Sequence, residues 1–160
     1  MIGDEVRTMI YDVDTQRIEA QLKVLQTCSE VMEITTPRLQ EEDRVAFFAA
    51  SRALHLAVEC VIDVGSVMID GFIMRDPGGY LDIVDILEDE KVVPASGAVR
   101  LKELVRVRDR LVRHYAEVNR EEVTRELENV EVFRDYVAWV RDYLDRELGS
   151  NEVRQGGGHL

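Results

Sequence analysis

Apolar residues recur along most of this chain at steps of three and four, the period of a helix packed on one side. Ile18, Leu22, Leu25, Cys28 and Met32 share one such face, which predicts a first helix from about residue 5 to residue 34, ending before Thr35-Thr36-Pro37. The next segment runs from about Arg38 to Ile73, and its middle, Val45 to Met68, is apolar around most of its circumference. A helix of that kind is buried on more than one side, so it is expected at the centre of the fold. Asp76-Pro77-Gly78-Gly79 then breaks the chain, joining proline geometry to two residues free to take positive φ. A short helix is expected over about Tyr80 to Asp89, with Leu81, Val84 and Ile86-Leu87 inward. Pro94 leads into a fourth, about Ser96 to Val118, patterned by Val99, Leu101, Leu104, Val105, Leu111 and Val112. Asn119 followed by Glu122 resembles a capping box opening a segment to about Glu128, and Val130 to Leu148 makes a last helix stopped by Gly149. There is no strand alternation and no internal repeat. The expectation is an all-α, up-and-down bundle of four main helices plus one or two short ones. It occupies residues 1–150 as a single domain, with residues 151–160 a disordered tail.

Composition narrows the class. At 160 residues, 46% hydrophobic and 32% charged, the chain is about one domain long and fits neither disorder nor a collagen-like repeat. No apolar run approaches the roughly 18 residues of a membrane helix, and the first residues lack a signal-peptide pattern, so a cytoplasmic protein with no membrane partner is expected. Cys28 and Cys60 sit inside apolar helical stretches and read as buried free thiols of a reducing compartment. A formal charge of −12 argues against coating DNA or RNA by phosphate neutralisation. Yet Arg106, Arg108, Arg110 and Arg113 fall within eight residues. Guanidinium offers a planar fork of donors suited to phosphate, although a solvated basic helix face would look the same.

The densest chemistry lies in Arg106-Val107-Arg108-Asp109-Arg110-Leu111-Val112-Arg113-His114-Tyr115. A guanidinium can hold a phosphate and stabilise its transition-state charge, and an imidazole can orient or deprotonate a 2′-hydroxyl. The second helix also carries a polar stripe, Arg52, His55, Glu59, Asp63 and Ser66, at steps of three and four. The stripe reads either as the lining of a cleft or as a satisfied polar network. His55, Glu59, Asp63 and His114 lack the paired Glu-x-x-His motifs of di-iron bundles, so no metal or other cofactor is expected. Tyr11, Tyr80, Tyr136, Tyr143 and Trp139 read as packing residues, and His159 as inert.

From Arg38 to Asp145 the order of these features resembles the HepT-like branch of the HEPN superfamily. The resemblance is carried by Val58 to Asp70 with Ile62-Asp63-Val64-Gly65 inside it, Gly79-Tyr80, Ile86-Leu87, Val93-Pro94 and Leu101 to Leu104. Arg108 to Tyr115 and Glu117-Val118-Asn119 complete it. The resemblance implies a HEPN-like bundle and a metal-independent endoribonuclease toxin of a type VII-like toxin–antitoxin module, cutting RNA in the cleft of a two-fold homodimer. It implies Arg108 and His114 as the catalytic pair, with Asp109 in the polar slot that follows the arginine; Arg113 of the arginine cluster and His55, Glu59 and Asp63 of the polar stripe are the further candidates for accessory cleft residues. The implied partner is a minimal nucleotidyltransferase antitoxin that modifies Tyr115 with AMP.

One feature departs from the family. Arg113 occupies the usual histidine position and His114 comes one residue later, while Tyr115 keeps its place. On a regular helix one residue turns a side chain by about 100°. Either the helix bulges or ends near Arg113, or the cleft is wired differently, or nuclease activity is lost. The alternative function is then a catalytically impaired module that binds and regulates a nucleotidyltransferase, or binds a nucleotide. Tyr115, about two turns after Arg108, is expected on the same face near the cleft mouth.

Overall fold

The computed structural model describes residues 11–156, and among them are six helices and no strand. They are α1 (Thr15–Leu39), α2 (Arg44–Gly71), α3 (Tyr80–Asp89), α4 (Ala95–Arg113), α5 (Arg120–Leu127) and α6 (Glu131–Gly156). Side-chain caps fix three of the starts. Asp14 accepts from the Arg17 amide at 3.0 Å, Asp43 from Ala46 at 3.1 Å, and Asn119 from Glu122 at 2.9 Å. The cap at Asp14 means that residues 11–14 precede the helix rather than belong to it, while the rest of the expected early start lies outside the described residues.

Helix α1 also continues past the expected stop at Thr35-Thr36-Pro37. Proline removes one amide donor, but the fully buried Leu39 and the buried Thr35 tie this last turn to the core. The second helix begins at Arg44, not Arg38, because α1 runs on through Leu39 and Asp43 caps the new start after a short turn. Helix α4 ends at Arg113, five residues before the expected Val118, since His114 through Glu117 are all exposed and give a further turn nothing to bury. Helix α6 passes through Gly149, where a lone glycine costs only about 1 kcal/mol against alanine. Residues 151–156 of the tail continue this helix, and residues 157–160, with His159, lie outside the described residues.

Helix α2 touches all five others and packs most extensively on α1, as its apolar circumference requires. It is long and apolar enough by length and composition to cross a membrane, contrary to the run-length expectation, yet half of that stretch is buried inside the bundle. Gly65 lets α3 lie close, because a Cβ there would meet Ile83 Cγ2 at 2.7 Å. Three residues expected inward, Leu81, Val99 and Val112, are exposed. Neither Gly78 nor Gly79 uses the left-handed region. The positive-φ positions are Glu42, Ile73 and Lys91, each in a connection following a helix. Cys28 and Cys60 are buried and free.

Candidate functional site

Three helices meet around one carboxylate. Glu59, on the outward stripe of α2, accepts from Arg108 Nε of α4 at 2.5 Å and from the Tyr80 hydroxyl of α3 at 3.0 Å. The guanidinium carbon of Arg108 lies 4.8 Å from the centre of the Tyr80 ring, within cation–π range. His55, one turn before Glu59, places Nε2 3.6 Å from the same carboxylate, and Arg52 Nη1 lies 3.2 Å from its Nδ1. Burial and the Arg52 charge push the His55 imidazole below its ordinary range. Burial, then the bond to Glu59, pushes the Tyr80 phenol up, which keeps it a donor. Arg108 gives only Nε to this network. Among the described residues neither Nη group has a hydrogen-bond partner.

Arg108 and His114 line one cleft of about 1000 Å³, with Asp109 and Arg113 on the same wall and Gly78 to Tyr80 across from them. The end of α4 at Arg113 resolves the shifted spacing. His114 is the helix cap, with φ −124° and ψ 32°, so it leaves the regular helical course and still opens onto the cleft of Arg108. Its amide donates to the Arg110 carbonyl at 2.8 Å, and its half-exposed ring places Nδ1 3.8 Å from Glu117 Oε2.

The arginine cluster is largely neutralised locally. Arg110 is paired with Glu122 at 2.5 Å, and Arg113 with Asp109 at 3.1 Å. Glu122 thereby serves Arg110 instead of completing a capping box at Asn119.

Three accessory residues do not line this cleft, and Glu59 reaches it only through Arg108 and Tyr80. His55 faces a second hollow of about 280 Å³ that it shares with Phe47, Phe48, Arg52 and Tyr115. Asp63 is exposed and lines neither space, and burial together with the Glu59 charge pushes its carboxyl up. Tyr115 is 76% exposed in the turn after α4, so it does not share the face of Arg108 as helical spacing implied. Among the described residues no three His, Cys, Asp or Glu side chains converge as metal ligands would.

Tyr80 was legible only as a packing residue. Its signal was its position, the first residue of a short helix directly after two glycines. The other aromatics fit packing: Tyr136 and Tyr143 are buried, Trp139 and Tyr11 partly so, and the Tyr136 hydroxyl donates to the Val61 carbonyl at 2.9 Å.

A family model described as Ribonuclease HepT-like matches residues 21–140. YutE of Bacillus subtilis, which carries the name of an RNase, is 38% identical over 141 residues, spanning 88% of this chain and 96% of that protein. Its solved structure, described as a cytosolic protein of unknown function, superposes with a TM-score of 0.73 at 36% identity, over 88% and 96% of the two chains. A tri-AMPylated Shewanella oneidensis HEPN toxin in complex with an MNT antitoxin shares the fold, with a TM-score of 0.72 at 16% identity, covering 78% of this chain and 96% of that one.

Proposed function

The chain belongs to the HepT-like ribonuclease family, and on that premise we propose that it is a metal-independent endoribonuclease toxin of a two-gene toxin–antitoxin module, acting in the cytoplasm. The observation that carries this reading is the common cleft of Arg108 and His114, with both Nη groups of Arg108 free of protein partners among the described residues. A phosphate oxygen can take both Nη donors while Glu59 keeps Nε, so the arginine binds RNA without giving up its anchor.

In the reaction, the 2′-oxygen of a ribose attacks the adjacent phosphorus as the bond from phosphorus to the 5′-oxygen breaks. The proton of the 2′-hydroxyl passes to the His114 imidazole, and the departing 5′-oxygen takes a proton from the second imidazole of a two-fold dimer cleft. Arg108 stabilises the charge that gathers on the phosphoryl oxygens. The products are a 2′,3′-cyclic phosphate and a 5′-hydroxyl.

The exposed Phe48 and Val45 near the start of α2 supply apolar surface for the second protomer. The partner is a minimal nucleotidyltransferase antitoxin, the class that accompanies the Shewanella HEPN toxin. Its modification site is Tyr115, whose exposure leaves the hydroxyl open to an adenylylating enzyme.

Replacing Arg108 or His114 with alanine tests the reading. Each variant should abolish RNA cleavage and growth arrest while leaving the helical circular dichroism unchanged. Full activity in both would remove this cleft as the active site.

A further inference from the structure

We propose that Tyr80 is a positioning residue that holds the Arg108 guanidinium in the orientation that receives the RNA phosphate, an inference that rests on reading Arg108 as the phosphate anchor. Tyr80 reaches Arg108 by two routes. Its ring lies under the guanidinium at 4.8 Å, and its hydroxyl donates at 3.0 Å to Glu59 Oε2, whose other oxygen accepts from Arg108 Nε at 2.5 Å. A guanidinium held through Nε alone can still rotate out of plane about that bond. A ring against its face removes that freedom, and the hydroxyl removes the matching freedom of the carboxylate.

The backbone places Tyr80 for this task. It is the first residue of α3, and α3 is held close to α2 where Gly65 leaves room for Ile83. Tyr80 also lines the cleft beside Arg108, so the same ring forms part of the wall the RNA backbone passes. Preorganised charge acts most strongly on the transition state, so loosening the guanidinium lowers kcat more than it raises KM.

The test compares wild type with Tyr80→Phe, Tyr80→Leu and Arg108→Ala. Single-turnover RNA cleavage is measured alongside NMR of the Arg108 Nε–H in protein labelled with ¹⁵N-arginine. Tyr80→Phe keeps the ring and should slow cleavage about threefold, the loss of one hydrogen bond. Tyr80→Leu keeps apolar bulk but loses ring and hydroxyl, and should slow it about tenfold to thirtyfold with KM within about twofold. The Nε–H signal should exchange with water faster in Tyr80→Phe than in wild type, and faster still in Tyr80→Leu. An inactive Arg108→Ala beside fully active Tyr80 variants would overturn the positioning role alone. An unchanged Nε–H exchange rate in Tyr80→Phe would do the same, even if Tyr80→Leu failed to fold. A fully active Arg108→Ala would overturn the reading of the cleft and the positioning role with it.

Discussion

Removing Glu59 probes the junction of three helices directly. Its side chain is 21% exposed and that of Arg108 is 19% exposed, so the pair lies between a surface ion pair, worth at most about 1 kcal/mol, and a buried one, whose breaking costs about 3–5 kcal/mol. Glu59→Ala also strands the Tyr80 hydroxyl, while alanine returns a few tenths of a kcal/mol in helix propensity. The net loss should be about 2 kcal/mol, or about 4–8 °C in Tm for a chain of this length. Glu59→Gln should lose about half as much, because an amide oxygen can still accept from Nε. Denaturant unfolding of Glu59→Ala, Arg108→Ala and the double variant gives the coupling, expected at about 1–2 kcal/mol. A coupling below about 0.3 kcal/mol would mean that the contact contributes nothing and that Glu59 does not preset the guanidinium.

Other consequences can be checked singly. Gly97 sits where a Cβ would run into the Trp139 ring, so Gly97→Ala should destabilise by about 1–3 kcal/mol despite its better helix propensity, and stabilisation on thermal melting would contradict that packing. His55 is pushed below its ordinary 6.5 by burial and Arg52, so the unfolded chain takes up this proton first and stability should fall as pH drops below about 6.5. An NMR titration midpoint for His55 above 6.5 would reverse that sign. Co-expression with the proposed nucleotidyltransferase partner should add AMP to Tyr115 and silence cleavage, read by mass spectrometry. Complete neutralisation with Tyr115 unmodified would show that the partner acts by binding alone.

Much of the fold was legible because burial writes itself into period. The central α2 announced itself by apolar residues around its circumference, and α3 by Val84, Ile86 and Leu87, with Ile83 taking the inward place expected of Leu81. Boundaries were legible at the Asn119 cap and at Tyr80 after the Pro77-Gly78-Gly79 break, but not at the Asp14 and Asp43 caps. Thr35-Thr36-Pro37 looked like a stop because the pull of Leu39 on the last turn is a tertiary effect. The candidate site was legible through Arg108 and His114, but their relation was not. Helical spacing turned His114 away from Arg108 and kept Tyr115 beside it. The end of α4 at Arg113 reverses both, because the residues after it follow a turn. Tyr80 was hidden for a different reason: its partners lie 21 and 28 residues away in sequence, on two other helices.

If this cleft cuts RNA through its own side chains and the 2′-hydroxyl, the purified protein should be active in excess EDTA, and the decisive experiment incubates it there with an RNA oligonucleotide beside the same oligonucleotide with 2′-deoxyribose at every position. Cleavage of the RNA alone is expected, with 2′,3′-cyclic phosphate and 5′-hydroxyl ends by mass spectrometry and none in Arg108→Ala. Cleavage that EDTA abolishes, that extends to the deoxy strand, or that survives in Arg108→Ala would rule out this mechanism.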